Sequence, residues 1–247
     1  MAKREKAGTP QRTGAGAKAA TADRREDPLA APKRRRPQQQ RSKATVEQIL
    51  NAAVGVLERG GFEAMTMQTI ADAAGINIAT AYSYFPNKHH VLAHLARVRL
   101  AERLTLLDAA VARLKADENW IDGFCATLAE LYRLRVDQAG SVALRQAMHA
   151  SPSLWQIDQE GNRRAGILVA DLLRAHAGDG AGDGAGGETG DNHQIQGRVI
   201  AEYVTATLDY LQHSDAATRA GTLAEIIALT RAYLERITRP AAGPAEG

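Results

Sequence analysis

An all-α fold of about nine helices is predicted by three features of the 247-residue chain. Apolar residues recur at helical intervals from Thr45 to about Arg239, and beyond residue 104 no segment carries the alternation of a half-buried strand. Between the periodic stretches, glycine and proline fall beside Thr or Asn residues that can cap a helix. The expected arrangement is an N-terminal three-helix helix-turn-helix domain followed by a larger helical C-terminal domain.

The first helix is expected from Thr45. Thr45-Val46-Glu47-Gln48 has capping-box spacing, and Val46, Ile49, Leu50, Ala53 and Leu57 follow at helical intervals. Gly60-Gly61 ends it, because glycine tolerates the left-handed conformation of a helix C-terminus. Thr66 caps a short second helix, Met67 to about Ala74, with Ile70 and Ala74 inward. Gly75 makes the turn, and Asn77 caps a third helix from Ile78 to about Tyr84. Pro86 stops that helix, since proline has no N–H and disfavours helix in the residue before it. Asn87 caps a long fourth helix to about Lys115, with Val91, Leu92, Leu95 and Val98 on its buried side. Two short helices joined by a tight glycine turn and braced by longer ones describe a helix-turn-helix.

A fifth helix carries Trp120, Phe124, Leu128 and Leu131 on one face, and helical stretches follow at about 141–150 and 153–176. Residues 178–192, almost wholly Gly, Asp, Ala and Glu, read as a flexible loop. Gly182, Gly184 and Gly187 there satisfy G-x-G-x-x-G, but no strand precedes them and the dinucleotide reading fails on context.

The last two helices, 194–212 and 215–237, each carry two apolar stripes. In the first, one stripe is Ile195, Val199, Tyr203, Ala206 and Tyr210, and the other is Ile200, Val204, Leu208 and Leu211. In the second, Leu223, Ile227 and Leu234 oppose Ile226, Leu229, Tyr233 and Ile237. A surface helix needs one stripe, so the second is expected to meet a second subunit or to be buried within the monomer. Under the subunit reading Val204, Leu208, Leu211, Ile226, Tyr233 and Ile237 form the interface.

Hydrophobic residues make up 45% of the chain, enough for a real core. No apolar run approaches the roughly 20 residues of a membrane span. The polar, basic first thirty residues lack the apolar region of a secretory signal peptide. Cys125 is the sole cysteine, which excludes an internal disulfide framework and a cysteine-based zinc finger. A soluble, cytoplasmic protein with no membrane partner is expected.

Charge is unevenly placed. Residues 1–43 hold 13 Lys/Arg against 4 Asp/Glu, residues 44–104 hold 5 of each, and residues 105–247 hold 13 against 19. The basic stretch, densest at Lys33-Arg34-Arg35-Arg36 and continuing to Arg41 and Lys43, lacks hydrophobic periodicity and is expected to be disordered when free. It is either a solubilising tail or a DNA-contacting arm, and the motif directly after it favours the arm.

That motif is Thr66-Met67-Gln68-Thr69-Ile70-Ala71-Asp72-Ala73-Ala74-Gly75-Ile76-Asn77-Ile78-Ala79-Thr80-Ala81-Tyr82-Ser83-Tyr84-Phe85-Pro86-Asn87-Lys88. Its Ile-Ala-x-x-Ala-Gly, Thr-x-Tyr-x-Tyr-Phe and Asn-Lys elements, at this spacing, resemble the DNA-binding motif of the tetracycline-repressor (TetR) family. The match covers about Thr45 to Leu95, and the rest resembles the family in architecture alone.

The resemblance implies a DNA-binding transcriptional regulator, most simply a ligand-responsive repressor that binds a palindromic double-stranded operator as a homodimer. It implies that Ile78, Ala79 and Thr80 face the major groove, that Tyr82, Tyr84 and Lys88 bind phosphate, and that Thr66 anchors the second helix there. Gln68 stands where it can reach a base, Asn77 opens the recognition helix, and Arg41 and Lys43 extend the phosphate contacts. For Tyr82 and Tyr84, core aromatics with bonded hydroxyls are the competing reading.

The family departures are Ala79 where Gly is usual, Ala81 where a larger aliphatic is usual, and His89-His90 where acidic residues are common. The implied division is a disordered basic arm (1–41), a helix-turn-helix DNA-binding domain (42–95), an effector-binding and dimerisation domain (96–239) and a disordered tail (240–247).

Such C-terminal domains commonly enclose a pocket for a small-molecule effector, here of unknown identity. Trp120, Phe124, Cys125, Leu128, Tyr132, Met148, Trp155 and Tyr203 are the candidates for its lining, and each could equally be ordinary core. A DNA-binding protein without an effector is the second reading. A helical enzyme is the third, but no Walker loop, G-x-S-x-G, H-E-x-x-H or Cys-rich motif is present and no catalytic set can be named. His90 and His94 have i, i+4 spacing without a third ligand nearby, so neither a metal nor any other cofactor is expected.

Overall fold

The computed structural model describes residues 39–177, 188–211 and 214–239. Among these residues every regular element is helical: α1 (Gln39–Gly60), α2 (Met67–Ala74), α3 (Ile78–Tyr84), α4 (Lys88–Leu114), α5 (Trp120–Asp137), α6 (Ser141–His149), α7 (Pro152–His176), α8 (Glu188–Leu211) and α9 (Ala216–Thr238).

Most boundaries follow the local chemistry. Thr66 accepts from the backbone N–H of Thr69 at 3.0 Å, and Thr69 Oγ1 accepts from the backbone N–H of Thr66 at 2.9 Å, a reciprocal cap on α2. Asn77 Oδ1 caps α3 through Ala79 N at 2.8 Å, and Asn87 Oδ1 caps α4 through His90 N at 3.1 Å. Gly75 turns left-handed at φ 64°, letting its own N–H reach Asp72 O and that of Ile76 reach Ala71 O.

Two expected starts are displaced. α1 begins at Gln39, six residues before Thr45, and Thr45 Oγ1 donates back to Arg41 O at 3.0 Å instead of capping. Gln39 to Ala44 contains good helix formers and no breaker after Pro37, so the helix extends through the capping-box spacing. Arg41 and Lys43 therefore stand exposed on a helix, and the proposed arm reduces to residues 1–38, outside the described residues. α8 begins at Glu188, inside the stretch expected as loop. Residues 178–187 and the expected tail, 240–247, also lie outside the described residues.

Two cores form. The first gathers Ile49, Leu57, Met65, Ile70, Ala81, Phe85, Val91 and Leu92 around the helix-turn-helix. It also takes Leu144, Ala147 and Met148 from α6 and Leu154 and Ile157 from α7, all beyond residue 96. The second gathers Leu107, Val111, Leu114, Phe124, Leu128, Leu172, Leu173, Val204, Leu211 and Leu234 from α4, α5, α7, α8 and α9. α4 and α7 thus run through both. The turn before α6 is pinned to the DNA-binding end as well, since Glu58 Oε1 accepts from Gly140 N at 2.7 Å and the buried Arg99 donates to Ala139 O.

α7 packs on α8 more extensively than any other helix pair, and the approach depends on Gly166 and Gly197. A methyl added at Gly197 would collide with the Gly166 carbonyl oxygen and lie 2.7 Å from Ala170 N, both rigid backbone. Gly197→Ala must therefore separate the helices, overriding its better intrinsic propensity. We expect it to lower unfolding free energy by about 1–3 kcal/mol, measured by urea denaturation; an unchanged midpoint would show that the crossing relaxes freely.

Candidate DNA-binding surface and internal cavity

α2 and α3 bury Met67, Ile70, Ala71, Ala74 and Ala81, and turn their polar residues outward. Thr66, Gln68, Thr69, Asn77, Ala79, Thr80, Tyr82 and Ser83 are exposed together, with Tyr82 51% accessible. Ile78 and Tyr84 are half-buried and pack against the first core, so Ala79, Thr80 and Tyr82 are the open part of α3. For Tyr84 this placement agrees with the core-aromatic alternative, whereas Tyr82 stands in solvent.

Several of these side chains already have partners. Gln68 Nε2 donates to Asp72 Oδ1 at 2.7 Å, and Lys88 Nζ donates to Phe62 O at 3.0 Å while lying 4.0 Å from the centre of the Phe62 ring. Lys88 thereby ties the start of α4 to the turn after α1. Sequence reasoning missed Gln48, whose Nε2 donates to Ala74 O at 2.5 Å and locks α1 onto the end of α2. It also missed Thr69, whose hydroxyl completes the α2 cap, though its place three residues after Thr66 was a readable signal.

His90 Nδ1 lies 2.9 Å from Asn87 Oδ1, and His94 packs edge-on against Phe85. Burial, then the charge of Arg97, holds His94 below the usual histidine range. Among the described residues no cluster of three His, Cys, Asp or Glu side chains forms a metal site.

A cavity of about 80 Å³ lies in the second core between α4, α5, α7 and α8. Of the eight expected lining residues, Phe124 and Leu128 reach it. The others are placed elsewhere by tertiary contacts that periodicity cannot reveal. Met148 belongs to the first core. Trp120 stacks on His176 with ring centres 4.6 Å apart, and Trp155 packs edge-on against His149. Tyr132 is buried in the second core and Tyr203 packs against it. Cys125 faces α9, its Sγ 4.0 Å from Ile227 O, and burial pushes its thiol pKa up. Arg103 and Arg135, which no sequence pattern distinguished, line the cavity beside Asn162 and Thr205.

Beside this cavity sits a buried charge cluster. Arg145 of α6 pairs with both Asp158 of α7 and Asp209 of α8, and Arg135 donates to Asp209 Oδ1 at 2.6 Å. Burial lowers the pKa of Arg103 to about 10, a fall deepened by the neighbouring Arg135, so it stays charged at neutral pH.

Of the expected subunit-interface set, Val204, Leu208, Leu211 and Ile226 are buried in the chain's own second core, and Tyr233 and Ile237, half-buried, pack against it. On α8 the opposite stripe is outside, with Ile195 56%, Val199 50% and Tyr210 67% exposed, whereas on α9 the stripe of Ile226 itself divides, leaving Leu229 60% exposed. Periodicity reveals two stripes, but which one faces inward depends on where α5 and α7 lie.

The Thr66 cap predicts a separable effect. Thr66→Ala should cost about 1 kcal/mol of stability, whereas Tyr82→Phe, altering an exposed hydroxyl, should leave the melting temperature unchanged. A large drop for Tyr82→Phe would place its hydroxyl in the fold.

With this geometry in view, the likeness to known proteins becomes specific. Residues 49–95 match the family model described as bacterial regulatory proteins, tetR family. The HTH-type transcriptional repressor KstR of Mycobacterium tuberculosis (strain ATCC 25618 / H37Rv) is 41% identical over 46 residues, 19% of this chain and 21% of that protein. The chain therefore spans about a fifth of the length of the curated relatives it matches. The fold extends further. A structure from Mesorhizobium loti MAFF303099, assigned to the TetR family, aligns with a TM-score of 0.62 at 16% identity, covering 81% of this chain and 98% of that one. A structure from Pseudomonas aeruginosa PAO1, described as a transcriptional regulator, aligns with a TM-score of 0.63 at 14% identity, covering 81% and 93%. Residues 49–95 thus carry a segment of the type described as bacterial regulatory proteins, tetR family, and the described helices around it share the fold of TetR-family structures.

Proposed function

We propose that this protein is a ligand-responsive transcriptional repressor that binds a palindromic DNA operator as a homodimer. The observation that carries the reading is α4, which packs Val91 and Leu92 in the core of the helix-turn-helix and contributes Arg103 and Leu107 to the cavity wall. A guest that displaces the far end of α4 therefore displaces the recognition helix.

In this reading Ala79 and Thr80 meet base edges, and Tyr82 and Thr66 hold phosphates. Arg41 and Lys43, exposed on the first turns of α1, add cationic phosphate contacts to a segment, 44–104, that carries no net charge. Register comes from these hydroxyls and cations together.

Selection of bound duplexes from a random-sequence pool tests this directly. The recovered motif should be two-fold symmetric, with half-site centres separated by about one helical turn, roughly 10 base pairs. Thr80→Ala and Tyr82→Phe should weaken binding to it without altering thermal stability. Recovery of no enriched sequence would sink the reading.

The dimer interface is assigned to the exposed stripe of α8 and α9. Val199, Ala206 and Tyr210 continue one another along α8, and Leu229 stands between exposed Ala228 and Ala232 on α9. Val199→Glu with Leu229→Glu should yield a folded monomer in sedimentation, unable to hold both half-sites. A dimer persisting in that variant would place the interface on other helices.

A further inference from the structure

We propose that the cavity takes an apolar molecule carrying one carboxylate, with the head group against Arg103 and Arg135. This rests on the ligand-responsive reading above and names the ligand's chemical class.

The cavity is polarised along its length. On α5 and α7 the polar residue lies at one end of the wall, Arg135 against Phe124 and Asn162 against Val169; on α4 Arg103 stands between Leu100 and Leu104, and on α8 Thr205 is the one polar wall residue, between Val204 and Leu208. The polar end is the one beside the charge cluster, because Arg103 and Arg135 both feel Asp158 and Asp209.

Charge at that end does not balance. Arg103, Arg135 and Arg145 face Asp158 and Asp209; Asp209 is engaged by Arg135 and Arg145, and Asp158 by Arg145 through Oδ1, its Oδ2 having no hydrogen-bond partner. Arg103 makes no ion pair and donates no hydrogen bond among the described residues, yet part of its surface lines the cavity. The remaining polar wall groups are mutually satisfied: Thr205 Oγ1 donates to Asn162 Oδ1 at 3.0 Å, and Asn162 Nδ2 donates to Glu202 Oε2 at 2.8 Å. One monoanionic head group with a hydrocarbon body therefore complements both the surplus cation and the apolar walls.

The same placement supplies a route to the DNA-binding end. A carboxylate here competes with Asp209 for Arg135, and Asp209 also holds Arg145 of α6. α6 carries Leu144, Ala147 and Met148 into the helix-turn-helix core.

The full chain should be titrated, by calorimetry and thermal shift at constant ionic strength, with straight-chain carboxylates of about four to twelve carbons, the matching alcohols, and sodium acetate. We expect at least one carboxylate to bind roughly tenfold tighter than its alcohol, to raise the melting temperature and to release selected DNA. Arg103→Met should erase that preference while leaving the melting temperature of the free protein unchanged or higher, because it removes an uncompensated buried charge. Equal binding of acids and alcohols, with DNA released by both, would keep the ligand-responsive reading and overturn the carboxylate. Acetate binding as tightly as the longest acids would reduce the site to one for small anions and overturn the amphiphile. A melting temperature lowered by Arg103→Met with the acid preference intact would make Arg103 structural. No saturable binding of any acid would overturn the assignment, whatever the fate of the DNA-binding reading.

Discussion

The burial of one helix in two cores is the constraint on which the rest of this structure depends. α4 has 27 residues, about 40 Å at 1.5 Å per residue. Its first turns fill the core under the recognition helix, and its last turns fill the core around the cavity. A close-packed interior resists continuous deformation, so neither end can move without repacking the other. α7 repeats the device from the opposite direction, reaching the first core through Leu154 and Ile157 and the second through Leu172 and Leu173. A boundary drawn at residue 95 describes the motif but not the mechanics. α6, far along the chain, is physically part of the DNA-binding unit.

The charge cluster at the junction is harder to explain as a stabilising feature. Taking three guanidiniums and two carboxylates out of water costs more than their mutual attraction commonly returns. Arg145 nevertheless links α6, α7 and α8 in one arrangement, which an apolar side chain could not specify. Such a cluster is sensitive to added charge, and it lies between the cavity and the helix that joins the DNA-binding core. That position makes it a junction as well as a brace.

At the DNA-facing end, geometry comes from caps and small residues more than from charge. Thr66, Asn77 and Asn87 each close a helix start, and Gly75 supplies the left-handed turn between α2 and α3. Ala81 is fully buried under α3, and its methyl lets that helix lie close to the core. The two histidines that begin α4 do not leave its start loose, because His89 packs edge-on against Phe62 and His90 meets Asn87.

The sequence by itself determined what depends on neighbours along the chain. Helical periodicity, three side-chain caps and the glycine turn were legible because each is an interaction within about one helical turn. The exposed face of α2 and α3 was legible in outline for the same reason, and Thr69, three residues after Thr66, completes its cap at the same short range. What failed was also local in form: the Thr45 spacing is compatible with a helix interior, and the glycine-rich composition did not mark where α8 would begin. Tertiary structure alone decided which stripe of α8 turns inward, since a helix with two apolar faces has no intrinsic preference between them. It decided that Phe124 and Leu128 line the cavity while Trp120 and Met148 do not, because lining is set by what stands opposite. It also brought together Arg103, Arg135, Arg145, Asp158 and Asp209 from five helices. Charges so far apart in sequence interact only when packing removes the water between them.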